Sequence, residues 1–177
     1  MTIELYKEDW GPGEWQDEPD REEWIDEATG YPCCLIRNRL GSWCGYVTIP
    51  KDHPLYKVDA HSYDEMVVNL KVHGGITYSA FASRYWEGPE GDQERHSSGY
   101  DGWTFGFDCG HWDDVMPAMD ATFRKLRENH SDEPDPLEPR KPILKRGLQV
   151  TYKTIGFAKA ETEQLALQLF ELKGDIQ

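Results

Sequence analysis

The sequence is poor in basic residues and has no long hydrophobic run. Lys and Arg number 19 against 33 Asp and Glu, which gives a formal net charge of −14. A field of this sign repels nucleic acids and anionic membrane surfaces, so no direct nucleic-acid binding is expected. No apolar stretch approaches the ~20 residues that span a bilayer, and Met1–Tyr6 lacks the basic and then apolar pattern of a signal peptide. We therefore predict a cytoplasmic protein without membrane contact.

Cysteine is sparse, and its spacing is not that of a structural zinc site. The four cysteines include the adjacent residues Cys33 and Cys34, and no Cys-x-x-Cys pair occurs. A zinc site of the usual spacing and a disulfide framework are both disfavoured. We expect free and mostly buried thiols.

Aromatic residues are abundant, at 12% of the chain, as in a packed protein with one sizeable core. The pattern of elements predicts a single α+β domain, with a mixed or antiparallel sheet of five or six strands and helices mainly on one face. The chain divides into an acidic N-terminal segment (1–29), a core that carries the motifs (30–129), a Pro-rich connector (132–142) and a C-terminal strand and helix (143–177).

Periodicity and turn residues place the individual elements. Strand patterns occupy residues 31–37, 42–49, 67–73, 76–83, 103–109 and 148–155. Helix patterns occupy residues near 21–28, 115–129 and 159–172. The first of these helices is predicted because Asp20 and Glu23 have the spacing of a capping box and Gly30 stands where a helix would stop. Residues 86–101 read as a long polar loop.

Five segments occur in an order that resembles a known family. They are Gly30-Tyr31-Pro32-Cys33, Trp43-Cys44-Gly45-Tyr46-Val47, His53-Pro54-Leu55-Tyr56, Val72-His73-Gly74-Gly75-Ile76-Thr77-Tyr78-Ser79 and Phe105-Gly106-Phe107-Asp108-Cys109-Gly110-His111. Together they resemble small uncharacterised proteins of phages, prophages and bacteria, over about residues 30–114 and more weakly at the C-terminal strand and helix. The resemblance implies no settled activity, but it does imply a counter-defence role in the host cell cytoplasm.

The chain departs from that family after His111. Trp112-Asp113-Asp114 stands where a small or glycine-containing stretch before an aspartate is expected. Site residues beyond His111 are therefore not transferred from the resemblance.

The strongest candidate site lies where predicted strands end. His73 closes one strand, and further side chains with suitable chemistry follow the strand that begins at Trp103, namely Asp108, Cys109, His111, Asp113 and Asp114. His53, beside a proline-ordered loop, is placed to approach the same position.

A divalent metal site is one interpretation of this cluster. His73, Asp108 and His111 are suitable ligands for Zn²⁺ or Mn²⁺, and Asp114 would then act as the general base. Their order along the chain matches no established ligand signature. Nucleophilic catalysis is a second interpretation, with Cys109 or Ser79 activated by His73 or His111, although no glycine elbow surrounds either nucleophile.

Plain binding of a nucleotide-like ligand is a third interpretation. Residues suited to stacking, hydrogen bonding or close backbone approach are His73, Gly74, Gly75, Tyr78, Arg84, Trp86 and Trp103. Arg37, Arg84 and Arg95 are the candidate phosphate partners.

The same residues also have purely structural explanations. His73 is then a core histidine that holds the glycine turn, and Asp108 caps backbone amides. Asp113 and Asp114 favour the start of the helix near 115. The alternating aromatic residues are core residues in this interpretation, namely Trp43, Trp103, Phe105 and Phe107.

We predict a phage-type counter-defence protein that binds and sequesters a small nucleotide-like molecule. One alternative is a metal-dependent hydrolase of a nucleotide-like substrate. Another is an acidic protein that inhibits a host defence protein by nucleic-acid mimicry through residues 1–29. The sequence leaves open whether the protein is an enzyme, which ligand it takes and whether it forms a homo-oligomer.

Overall fold

Five strands and three helices lie within the residues that the computed structural model describes, which are 6–82, 102–129 and 150–174. The strands are β1 (Arg21–Ile25), β2 (Pro32–Arg37), β3 (Trp43–Ile49), β4 (Tyr78–Phe81) and β5 (Trp103–Asp108). The helices are α1 (Glu65–Val68), α2 (Pro117–Asn129) and α3 (Ile155–Gly174), and two 3-10 turns, Lys7–Trp10 and Glu14–Gln16, precede β1. The predicted polar loop 86–101 and the connector 132–142 lie outside the described residues.

The strands form one antiparallel sheet in the order β1-β2-β3-β5-β4. The β2–β3 hairpin closes through Asn38, whose Oδ1 accepts hydrogen bonds from the backbone N–H groups of Leu40 and Ser42. Gly41 supplies the positive φ of +84° that this turn requires. The prediction of a single α+β domain with an antiparallel sheet is confirmed.

Helix α3 packs on one face of the sheet and forms the core with it. The strand residues Leu35, Val47, Phe105 and Phe107 are fully or almost fully buried, as expected for the alternating aromatic pattern of β5. Gly45 lies opposite Phe107 in the sheet, and a Cβ atom there would come within 2.4 Å of Thr162 Oγ1 on α3. The missing side chain therefore allows the helix to approach the sheet closely.

The predicted helix near residues 21–28 is wrong, because this segment forms strand β1. Asp20 does not cap a helix; its carboxylate accepts hydrogen bonds from Lys7 and Arg37. Trp24 packs against the core from β1, and pairing with β2 satisfies the backbone of the strand. Tertiary pairing thus outweighs the local helix signal.

The predicted strand at residues 67–73 is also wrong. Asp64 caps the short helix α1 by accepting a hydrogen bond from Met66 N, and Val67 is the side chain of α1 that is buried. At the predicted strand 148–155, the described residues contain a single bridge, between Thr151 and Asp114. Helix α3 begins at Ile155, earlier than predicted, because Glu18 Oε1 accepts a hydrogen bond from Ile155 N.

All four cysteines are free, as expected, and Cys33, Cys44 and Cys109 are buried. Within the described ranges, no helix is long and apolar enough to cross a membrane.

We predict that Gly45→Ala destabilises the fold, because the added Cβ collides with Thr162 and with the Phe107 ring. The free energy of unfolding in urea should fall by about 1–3 kcal/mol. Gly156→Ala is the matched control, since a Cβ on this α3 residue would meet only Thr154 Oγ1, at 3.8 Å. It should change stability by less than about 1 kcal/mol. Equal effects of the two substitutions would contradict the close packing of α3.

Candidate functional site

The candidate site is built on Asp114, a fully buried carboxylate between β5 and α2. The backbone around it is fixed by pairing with the segment before α3. Val115 N donates to Thr151 O at 3.0 Å, and Thr151 N donates to Asp113 O at 3.3 Å. This pairing sets the position of the carboxylate before any ligand is present.

One oxygen of Asp114 accepts three hydrogen bonds. Oδ2 lies 2.8 Å from His73 Nε2, 3.0 Å from His111 N and 3.1 Å from His111 Nδ1. The two rings meet edge to face with centroids 4.9 Å apart. In this arrangement His73 Nε2 and His111 Nδ1 carry the protons of the hydrogen bonds, and a metal ion held by the same three atoms would replace those protons.

A glycine turn brings His73 to this position. Gly75 N donates to Val72 O, and Gly74 has the positive φ of +70° that the third residue of a type II turn requires. A Cβ on Gly74 would lie 1.9 Å from His111 Nε2, so the histidine ring needs a glycine beside it. Helix α3 fixes the turn from the other side, because Glu161 Oε2 accepts a hydrogen bond from His73 N at 2.6 Å.

The second oxygen of Asp114 is buried and has no hydrogen-bond partner among the described residues. Lys153 Nζ is 3.5 Å from this Oδ1. Burial opposes ionisation, yet the hydrogen bonds from His73 and His111 hold the pKa of Asp114 below its usual value of 3.8. The buried carboxylate of Asp114 is therefore ionised. Its Oδ2 accepts three hydrogen bonds, and its Oδ1 accepts none from the described residues.

His73, His111 and Asp114 form a group that could hold a metal ion. Each offers one ligand atom, and the three atoms lie within 4.8 Å of one another. The N···O separations at Asp114 are 2.8 and 3.1 Å, which are hydrogen-bond distances. Two histidines and one carboxylate leave further coordination positions open.

The structure brings together His73 and His111 from the predicted metal site, but Asp108 is not the third member. Asp108 Oδ2 accepts a hydrogen bond from Thr77 Oγ1, and its Oδ1 accepts one from Gly110 N. Asp108 therefore caps the turn after β5, in agreement with the structural interpretation that it caps backbone amides. The third member is Asp114, which the sequence predicted as a general base.

Neither candidate nucleophile is placed for attack. Cys109 is 2% exposed, and burial raises the pKa of its thiol well above the usual range, so the reactive thiolate is disfavoured. Ser79 Oγ accepts a hydrogen bond from Ala60 N. His53 is likewise remote, since its Nε2 is hydrogen-bonded to Leu169 O, about 18 Å along α3 from the Phe157 that contacts His73.

The predicted stacking residues do not form one surface. Tyr78 pairs with Gly106 and Phe81 pairs with Trp103, so the alternation of β5 places Tyr78 and Trp103 on opposite faces of the sheet. The indole of Trp103 donates to Val58 O. Arg84, Trp86 and Arg95 lie outside the described residues.

Arg37 is not available as a phosphate partner. Its side chain is almost completely buried, pairs with Glu18 and Asp20, and lies over the Trp43 ring. Gly75, in contrast, has open space where a Cβ would stand.

Sequence reasoning missed the residues that α3 and its preceding segment contribute. They are Thr151, Lys153, Phe157 and Glu161. No local motif marks them, because they reach the site only through tertiary pairing.

Comparison of the chain with protein-family models gave no match, and searches of curated proteins and of solved structures gave none either.

We predict that Asp114→Asn destabilises the protein by about 1–3 kcal/mol at neutral pH, because a buried charged acceptor is lost. The folded-state pKa of Asp114 is lowered, so its contribution is complete above the unfolded value near 3.8 and is lost as the pH falls through the folded value. Urea denaturation should therefore show a difference between wild type and variant that narrows below about pH 4. A difference that is the same at pH 7 and pH 3 would contradict this assignment.

Proposed function

We propose that the protein is a divalent-metal-dependent hydrolase whose metal ion binds to His73, His111 and Asp114. The observation that carries the proposal is the convergence of two imidazole nitrogens on one buried carboxylate at distances of 2.8 and 3.1 Å. The donor set suits Zn²⁺, Mn²⁺ or Fe²⁺.

The bare carboxylate oxygen supports the same proposal. Asp114 Oδ1 is buried without a hydrogen-bond donor among the described residues, and Lys153 Nζ faces it at 3.5 Å. A bound divalent ion would add a second favourable charge interaction for this carboxylate. The histidine side chains are 19% and 26% exposed, so an ion and its remaining ligands can be reached from solvent. A divalent ion in this position supplies Lewis acidity and activates water for hydrolysis.

The protein residues have separate parts in this proposal. Asp114 provides the negative charge and aligns both rings. The Gly74 turn and Glu161 hold His73, and the pairing of Asp113 and Val115 with Thr151 holds Asp114. These contacts fix the three ligands in advance, which reduces the ordering cost of binding an ion.

Sequestration of a nucleotide-like molecule and counter-defence remain predictions of the sequence. The stacking set on which sequestration rests is not assembled among the described residues. Mimicry by residues 1–29 also remains a prediction, although Glu18 and Asp20 in that segment pair with Arg37.

Metal binding is tested by calorimetric titration of chelator-treated full-length protein with Zn²⁺ and with Mn²⁺. We expect one ion per chain. Loss of an outer-shell partner of a metal ligand weakens metal binding by about 10–100-fold. Loss of a ligand itself, in His73→Ala or His111→Ala, should weaken binding by more than this. His61→Ala is the matched control, because His61 is an exposed loop residue. Wild-type protein without stoichiometric binding, or ligand variants that bind like His61→Ala, would refute the proposal.

Hydrolysis is tested on a panel of cyclic and ADP-ribose-type nucleotides. Each compound is incubated with metal-loaded protein, filtered, and assayed by chromatography after heat denaturation. An altered compound supports the hydrolase. A compound that is retained and then returns intact favours sequestration, and a panel that passes untouched favours a macromolecular target.

A further inference from the structure

We propose that Lys153 determines the substrate class of this site by binding a phosphate-type oxyanion beside the metal ion. The inference rests on the proposed metal centre and deepens it. It adds a residue that no sequence motif indicates and a chemical class of substrate.

Lys153 is held in place beside the metal ligands. Its Nζ donates to Thr151 Oγ1 at 2.8 Å and lies 5.3 Å from the centre of the Phe157 ring. Thr151 is itself paired with the backbone around Asp114. The ammonium group therefore has a defined position without a hydrogen bond to the carboxylate next to it.

Lys153 forms an ion pair with Asp114 without donating a hydrogen bond to it. Nζ is 3.5 Å from Oδ1, and this oxygen has no hydrogen-bond donor in the described part of the chain. A lysine ammonium has three N–H donors, and among the described residues Thr151 Oγ1 is the acceptor that takes one. Donors remain for a ligand that arrives from solvent.

The surface of the site presents nitrogen atoms above a buried negative charge. Lys153, His73 and His111 are partly exposed, whereas the side chain of Asp114 is completely buried. Among the groups in contact with the three ligands, a bound divalent ion and Lys153 would carry three positive charges against the two negative charges of Asp114 and Glu161. A local positive field in a protein of net charge −14 selects anions at this position.

A phosphate-type oxyanion fits both cationic groups. Its several oxygen atoms can contact a hard divalent ion and a lysine ammonium at the same time, and lysine binds phosphate as a point charge. A neutral ester can use only the metal ion. Lys153 should accordingly make the site bind phosphate esters in preference to uncharged esters.

The experiment measures binding of inorganic phosphate to full-length protein loaded with Mn²⁺, by calorimetry, with acetate as the comparison anion. Lys153→Met removes the charge and keeps much of the apolar stem, while Lys153→Arg keeps the charge. Lys71→Met is the matched control, since Lys71 is an exposed lysine of the loop before His73. Each variant is first titrated with Mn²⁺ alone.

We expect Lys153→Met to weaken phosphate binding at least about tenfold, equivalent to ~1.4 kcal/mol, while Mn²⁺ affinity stays equal to or above that of wild type. Lys153→Arg should retain most of the phosphate affinity, and Lys71→Met all of it. Phosphate affinity of Lys153→Met within about twofold of wild type, or acetate binding as tight as phosphate binding, would overturn the inference. Failure of wild type to bind Mn²⁺ or Zn²⁺ would instead refute the metal centre, a result that the first titration reports separately.

Discussion

Two carboxylates, one buried and one partly buried, hold the short segment that joins the rest of the protein to α3. Asp114 lies on one side of this segment, next to Thr151 and Lys153. Glu18 lies on the other, where it accepts hydrogen bonds from the hydroxyl of Tyr152 and from Ile155 N. The position of α3 on the sheet, and with it the candidate site, depends on this pair of contacts.

The Glu18 contact extends into the sheet through Arg37. Glu18 Oε2 accepts hydrogen bonds from Arg37 and from the indole of Trp43, and Arg37 also donates to the hydroxyl of Tyr152. Burial opposes the ionisation of Glu18, but these donors and Ile155 N lower its pKa below the usual value. A buried ionised group is tolerated when an opposite charge lies next to it and its hydrogen-bonding atoms have partners. Glu18, a residue of the acidic N-terminal segment, thus has a structural role.

The sequence was a good guide where an element is specified locally. The β2–β3 hairpin follows from its turn residues, strand β5 from its alternating aromatics, and α2 from the helix pattern near residues 115–129. It failed at β1, where pairing with β2 overrides a capping box, and at α1, where a four-residue helix stands in an apolar run. These outcomes depend on partners that are distant in the chain.

The candidate site was predicted in the same uneven way. His73, His111 and Asp114 could be selected because they lie near strand ends, but the choice between Asp108 and Asp114 as third member could not be made. That choice depends on the bridge between Asp114 and Thr151, which turns Asp114 inward while Asp108 caps Gly110. Lys153 was missed for the same reason, because its approach requires this bridge.

The bridge between Asp114 and Thr151 also has a consequence for the order of events during synthesis. His73, His111 and Asp114 leave the ribosome long before Thr151 and Glu161, the residues that complete their support. Long-range contacts of this kind form late, since the intervening chain must first be made and its ends brought together. The support of the site is therefore completed only when α3, which forms the core together with the sheet, has docked. A chain truncated before α3 would lack these supporting contacts and the core residues of the helix.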